Sequence, residues 1–130
     1  MLLDTHAWVW WVNGSRELSR TARGAIERSA SGDGLFISSI SAWEVALLVE
    51  RARLQLALDV ETWISRSESL SFVKFVPVDN RIAVLSTRLP GFRSKDPADR
   101  IIVATARTLD EPIVTKDASL RACSLVRTIW

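Results

Sequence analysis

The chain has 130 residues, 48% of them hydrophobic and 25% charged, with a formal net charge of +2; it is predicted to form one folded domain over residues 1–130, not a disordered segment. A lone cysteine, Cys123, excludes an internal disulfide framework, and a lone histidine, His6, argues against a histidine-rich zinc site. No apolar run approaches the roughly 18 residues of a membrane helix and no signal peptide is visible, so we expect a soluble, cytoplasmic protein.

Short apolar runs alternate with segments of helical periodicity along the whole chain. In chain order these predict a strand over 1–4, helices over 5–12 and from Ser19 or Thr21 to about 30, a strand over 35–38, helices over 41–49 and 59–64, a strand over 73–78, helices over 79–86 and 96–109, a strand over 112–115, a short helix around Leu120 and a strand over 126–130. Pro77 favours an edge position for the third strand. This alternation predicts an α/β fold with a mostly parallel central sheet and helices on both faces.

The tryptophans are expected to belong mainly to the core. In the helix over 5–12, Ala7, Trp8, Trp11 and Val12 share one face, which we expect to be buried, as we do Trp43. Trp10 lies on the opposite stripe with His6 and is the best candidate for an exposed contact with a partner protein.

Four acidic residues follow the predicted strands or open the helices after them: Asp4, Glu44, Asp99 and Asp117. In an open parallel sheet these turns meet outside the carboxyl ends of the strands. Ionised carboxylates repel one another there, at roughly 4 kcal/mol per pair at about 4 Å and an effective dielectric near 20, unless cations or protons neutralise them. Oxygen ligands without histidine favour Mg²⁺ or Mn²⁺.

Each acid also has an ordinary structural explanation. Ser41 with Glu44, and Asp96 with Asp99, have the spacing of a capping box, and Asp117 is placed to cap the helix after it. Asp96 has the stronger claim as an N-cap because Pro97 follows it, so of this pair we favour Asp99 as the metal ligand. Capping and metal binding are compatible, because a helix start can direct a carboxylate toward the strand ends.

Polar and basic residues flank the predicted acids. Thr5 and Thr115 are placed to orient a carboxylate or a water held by the metal, although an ordinary hydroxyl at a strand end explains them equally well. Arg93, Lys95 and Arg100 form either a solvated charged loop or a set of phosphate contacts. The pI of about 9.2 also points to a polyanionic partner, since gathering the acids in one site leaves a basic surface.

Four stretches in this order resemble PIN-domain nucleases, and more closely the VapC-type toxins of bacterial toxin–antitoxin pairs. They are residues 3–7 (LDTHA), 39–46 (SISAWEVA), 96–106 (DPADRIIVATA) and 114–117 (VTKD). The resemblance implies a PIN-like fold and a Mg²⁺- or Mn²⁺-dependent endoribonuclease with its acids at Asp4, Glu44, Asp99 and Asp117. It further implies a homodimer and an antitoxin that occludes the site.

Two non-hydrolytic alternatives remain open at this stage. A receiver-like Mg²⁺-binding module also places acids at strand ends, with a lysine nearby, but it needs an adjacent acid pair that is missing after the first strand. A degenerate PIN domain would bind RNA without cutting it, and the retention of four acids argues against that. Metal-dependent cleavage of RNA separates both alternatives from the enzyme.

Overall fold

A computed structural model describes all residues, 1–130, and shows five parallel strands in the order β3-β2-β1-β4-β5. The strands are β1 (Leu2–Leu3), β2 (Leu35–Ser38), β3 (Val73–Val76), β4 (Ile113–Val114) and β5 (Thr128–Ile129). The helices are α1 (Thr5–Val12), α2 (Arg20–Ala30), α3 (Ser39–Glu50), α4 (Val60–Glu68), α5 (Asn80–Ser86), α6 (Pro97–Leu109) and α7 (Ala118–Arg121). The predicted fold class is confirmed, and β3 is an edge strand, as Pro77 indicated.

The core is divided by the sheet into two clusters, one on each face. The two residues of β1 alternate between them, because successive side chains of a strand point to opposite faces. Leu3 joins a cluster built from α1, α2, α3 and α4, while Leu2 joins one built mainly from α6 and α7. Both leucines are fully buried. Cys123 is also buried, in the second cluster, where it packs as a small apolar residue. No helix is long and apolar enough to span a membrane.

Five helices begin after the side-chain caps that the sequence predicted for them. Ser19, Asp59, Asp79, Asp96 and Asp117 each accept a hydrogen bond from a backbone N–H of the turn they open. Helix α3 is the exception: it begins at Ser39, with Ser38 as the N-cap, and Ser41 is already inside it. The predicted capping box of Ser41 and Glu44 is therefore wrong.

Two burial predictions for tryptophan-bearing helices are wrong. Ala7 and Trp8 are buried as expected, but Trp11 is only half-buried and Val12 is 39% exposed, while Val9 is buried instead. Trp43 was expected in the core and is 56% exposed. Its helix starts earlier than predicted and is apolar on nearly all sides, so the sequence marks no single buried face.

The buried centre of the first cluster depends on a polar contact. The Trp8 ring packs 4.6 Å from the Trp63 ring, and its Nε1 donates to Ser67 Oγ at 3.1 Å. Both Trp8 and Ser67 are buried, so water cannot replace the hydroxyl if it is removed.

We expect Ser67→Ala to lower the free energy of unfolding by roughly 1–3 kcal/mol, because the buried indole N–H loses its acceptor. Ser65→Ala is the matched control: Ser65 is an exposed residue of the same helix, and the change in helix propensity is the same. Urea denaturation of both variants measures the difference, and equal stabilities would show that the contact contributes nothing.

Candidate active site

The first strand, β1, lies at the centre of the sheet, between β2 and β4. On one side of β1 lie the next strands in the chain, β2 and β3, and on the other side lie the later strands, β4 and β5, so the direction of winding reverses at β1. In an open α/β sheet such a switch point creates a crevice at the carboxyl ends of the strands. Asp4 follows β1 directly, and Asp117 lies just beyond β4. Glu44 is in the second turn of α3, which follows β2, and Asp99 is in the first turn of α6. We call these four residues the acid group.

Asp4 is the most enclosed member of the acid group, with 7% of its surface exposed. Its Oδ1 accepts from Thr5 N at 2.7 Å and its Oδ2 accepts from the Thr115 hydroxyl at 2.7 Å. Burial raises the pKa of Asp4. The two hydrogen bonds and the charge of His6 oppose that shift, and the charge of Asp117 adds to it. Thr115 also accepts from Asp117 N, so one hydroxyl links two acids of the group.

Glu44 is half-buried and held by the Thr5 hydroxyl, whose Oγ1 lies 2.6 Å from Glu44 Oε1 and 2.8 Å from Ser41 Oγ. Burial raises the pKa of Glu44 to about 7, the contact with Thr5 opposes the shift, and the charges of Asp4, Asp96 and Asp99 add to it. Since the Thr5 hydroxyl has one hydrogen, it donates to Glu44 when that carboxylate is ionised and is free to donate to Ser41 when Glu44 carries the proton. Thr5 therefore stays hydrogen-bonded in both states.

Asp99 is held by a serine that the sequence analysis did not single out. The Ser94 hydroxyl donates to Asp99 Oδ2 at 2.8 Å and accepts from Asp96 N at 3.3 Å. Burial raises the pKa of Asp99 to about 6; the Ser94 hydroxyl opposes this, and the charges of Asp96, Asp117 and Asp4 add to it. Asp96 is exposed and accepts from Ala98 N, so it is the N-cap as expected. Asp99 makes no reciprocal capping contact.

Arg100 holds the loop before α6, which corrects its expected role as a phosphate contact. Its guanidinium donates to three backbone carbonyls, those of Ser86, Phe92 and Ser94, at 2.8, 3.3 and 3.0 Å, and lies over the Phe92 ring. Because Ser94 also holds Asp99, the arginine fixes the loop that positions an acid. No pattern in the sequence separates this role from phosphate binding, since the partners are main-chain atoms.

Trp10 is not the exposed anchor that its helical stripe predicted. It is half-buried, with ring centroids 5.5 Å from His6 and 5.7 Å from Trp130, and Lys116 Nζ lies 5.5 Å from its centroid. The exposed tryptophan near the acids is Trp43, next to Glu44 in the chain. Trp10 lines a cleft of about 360 Å³ together with Asp4, His6, Lys116, Asp117 and Ala118.

No basic side chain neutralises the acid group. The two salt bridges of the chain join the Met1 amino group to Glu111 and Lys116 to Glu17, so neither includes one of these four carboxylates. Arg93 and Lys95 are exposed on the loop before α6 and take part in neither salt bridge. Neutral hydroxyls of Thr5, Ser94 and Thr115 hold the acids instead, so their mutual repulsion is left uncompensated.

This donor set suits a hard divalent cation that keeps much of its water. No three His, Cys, Asp or Glu side chains are close enough together to hold one ion as they stand. Mg²⁺ does not require such a cage, because proteins commonly bind it through one or two carboxylates with waters and substrate phosphates completing the octahedron. Several carboxylates with raised pKa values and no salt bridge fit that mode of binding.

A parallel α/β sheet with acids at its switch point defines the class of open α/β proteins that bind their ligands outside the carboxyl ends of the strands. Comparisons with known proteins narrow this class. The family model for the PIN domain matches residues 1–124. Ribonuclease VapC22 of Mycobacterium tuberculosis is 37% identical to this chain, with 100% of this chain and 98% of the relative covered. The chain therefore belongs to the PIN-domain family and is of the VapC type.

Solved structures show the same fold. A toxin–antitoxin complex from Klebsiella pneumoniae superimposes with a TM-score of 0.65 and 24% identity, covering 96% of this chain and 93% of that one. VapBC2 from Rickettsia felis, bound to a DNA fragment from its promoter, gives a TM-score of 0.69 and 15% identity, covering 98% and 95%.

The raised pKa values make the stability of the metal-free protein depend on pH. The ordinary pKa values, 4.5 for Glu44 and 3.8 for Asp99, apply to the unfolded chain, against about 7 and about 6 when folded. At pH values between the unfolded and the folded pKa of each group, the folded state binds more protons than the unfolded state. The free energy of unfolding therefore falls as pH rises. Thermal melts in EDTA should therefore show a falling Tm from about pH 5 to about pH 7.5.

Glu44→Gln should flatten that slope and raise the Tm at about pH 7.5, because the amide keeps an acceptor for Thr5 and removes the charge. Thermal melts of the variant in EDTA over the same pH range measure both effects. A Tm that rises over this window in the wild type, or a variant with an unchanged slope, would contradict the assignment.

Proposed function

We propose that residues 1–130 act as one PIN-like nuclease domain that hydrolyses RNA phosphodiester bonds internally, with a divalent metal ion held by the acid group. The proposal depends chiefly on one observation: four carboxylates at the switch point of the sheet have no cationic partner, and three of them have raised pKa values. The ribonuclease name of the 37% identical relative supports RNA as the substrate.

The residues of the chain divide the work of binding and positioning. Asp4 is fixed by two hydrogen bonds at the centre of the site, and Asp117 offers its free Oδ2, since its Oδ1 caps α7. Glu44 and Asp99 are half-buried carboxylates of the same group, and we assign to them the acceptance of a proton from an attacking water. No side-chain nucleophile is required.

A bound Mg²⁺ or Mn²⁺ would lower the pKa of water and stabilise the charge that develops on the phosphate oxygens. Thr5 and Thr115 hold Glu44 and Asp4 in place for that ion, and Asp96 does so less directly, through its helix cap and its backbone contact with Ser94. The enclosure of Asp4, both of whose oxygens are hydrogen-bonded, does not suit the phosphoacceptor of a receiver-like module.

Arg93 and Lys95 are the proposed phosphate contacts. They are exposed on the same loop as Ser94 and make no salt bridge, so both are free to bind the RNA backbone. Contacts of this kind give affinity and salt dependence but little sequence preference.

The biological setting follows from the type of protein. We propose a toxin whose partner is an antitoxin that covers the acid group, because similar folds are found in toxin–antitoxin complexes. We include a homodimer, and activity in the cytoplasm where the RNA is, as further parts of the proposal. Trp10 is half-buried, so only part of its ring is open to an antitoxin or to another ligand.

Asp117→Asn tests the acid group without disturbing the fold, because asparagine caps a helix as well as aspartate does and only the charge is lost. We expect Mg²⁺- or Mn²⁺-dependent cleavage of single-stranded RNA by the wild type, abolished by EDTA. The variant should cleave at least about 10–100-fold more slowly, the cost of losing even an indirect support of a metal site.

Asp59→Asn is the matched control, since Asp59 caps α4 in the same way and is not one of the acid group. It should cleave like the wild type. RNA binding without cleavage at any metal concentration would support the degenerate, non-hydrolytic alternative, and equal rates for the two variants would remove Asp117 from the site.

A further inference from the structure

One side of the acid group opens into a cleft whose other walls are aromatic and basic. We call it the aromatic cleft: Asp4, His6, Trp10, Lys116, Asp117 and Ala118 line it, and its volume is about 360 Å³. His6 and Trp10 are one turn apart on α1 with ring centroids 5.5 Å apart. Trp130 contacts Trp10 from outside the lining and supports it. Two acids, two aromatic rings and a lysine therefore line one cleft.

The Trp10 ring offers a face on which a planar group can stack. Lys116 Nζ lies over that ring at 5.5 Å from its centroid, within the range of a cation–π contact. The same ammonium group pairs with Glu17 at 3.0 Å, but both side chains are more than half exposed, so that pair contributes little and is easily broken. A base that displaces the ammonium group gains stacking and leaves Lys116 free to bind a phosphate.

Single-stranded RNA carries the matching chemistry. Bases stack on aromatic side chains, and lysines bind the phosphates between them. The cleft also falls within the range of roughly 300–1,000 Å³ that is typical of small-ligand sites, which is room for one nucleotide. Because Asp4 and Asp117 belong both to the cleft and to the acid group, a nucleotide bound here is a direct neighbour of the bond to be cut.

We infer that the aromatic cleft is a subsite for one nucleotide of the RNA, with its base stacked on Trp10 beside His6 and a phosphate on Lys116. The inference rests on the proposed RNA substrate. The inference concerns RNA binding and not cleavage, so a binding experiment can contradict it even if the protein hydrolyses RNA. It also assigns Trp10 to the substrate, where the helical pattern alone had suggested a protein partner.

Fluorescence anisotropy with a short, labelled single-stranded RNA in EDTA measures this binding without cleavage. Trp10→Ala should raise the Kd about 5- to 150-fold, which is a stacking contribution of roughly 1–3 kcal/mol at 1.4 kcal/mol per tenfold. Trp10→Phe should restore most of the affinity. Trp43→Ala removes an equally large but exposed ring outside the cleft and should leave the Kd unchanged.

A series of RNAs with a single abasic site, moved one position at a time, makes the test sharper. The wild type should lose affinity at one position, and that position should lose its effect in Trp10→Ala. Lys116→Ala should reduce the slope of log Kd against log salt by about one. Both results are expected whether or not the protein cleaves RNA in Mg²⁺.

The inference is overturned if folded Trp10→Ala binds RNA like the wild type, or if the same abasic position matters equally in both proteins. Should circular dichroism show that Trp10→Ala is unfolded, His6→Ala and Lys116→Ala decide the matter, because both residues are exposed. Unchanged affinity and salt slope in those two variants overturn it as well. So do variants that keep RNA affinity and lose only antitoxin affinity, which would assign the cleft to the protein partner.

Discussion

Parallel pairing of β1 on both its sides is the constraint on which the site depends. This strand has only two residues, yet Leu2 and Leu3 are fully buried and are paired with both β2 and β4. Because the direction of winding reverses at β1, a crevice opens at the carboxyl end of this strand. Asp4, the residue after β1, lies at that crevice. Burial of the two leucines on opposite faces of the sheet therefore fixes where the most enclosed acid lies.

The site is held together by neutral donors, which leaves its negative charge uncompensated. Hydroxyl groups of Thr5, Ser94 and Thr115 each touch a carboxylate of the acid group, while no lysine or arginine pairs with one. A basic residue at the same places would neutralise the acids internally and reduce their affinity for a cation. The one arginine that lies close, Arg100, binds main-chain carbonyls instead. The unpaired carboxylates can therefore bind a cation, and that cation can in turn bind the phosphates of the substrate.

Local signals in the sequence predicted the elements well. The helix over 5–12 matches α1, and Asp96 followed by Pro97 marks the start of α6, because caps act within one turn. The strand order and the polar contacts of the site could not be predicted from the sequence, because they join residues as far apart in the chain as Asp4 and Thr115. The sequence nevertheless predicts four acids at one edge, because strand ends and helix starts are local features that a parallel sheet brings together.

Errors arose where a pattern was ambiguous. Residues 45–49 are all apolar, so nothing marked which face of α3 is buried, and Trp43 was placed inside. The early start of α3 at Ser39 also released Ser41 and Glu44 from capping, so the contact between Ser41 and Thr5 was missed. Ser94 could have been suspected from its position two residues before Asp96, where a hydroxyl commonly accepts from the backbone.

Binding of Mn²⁺, followed by electron paramagnetic resonance, tests most directly whether the acid group is a metal site. The wild type should bind the ion with part of its water retained, as expected when few carboxylates are ligands. Glu44→Gln should weaken that binding by at least about tenfold, while Asp59→Asn should bind like the wild type. No bound Mn²⁺ in the wild type, or equal affinity in all three proteins, would contradict the account.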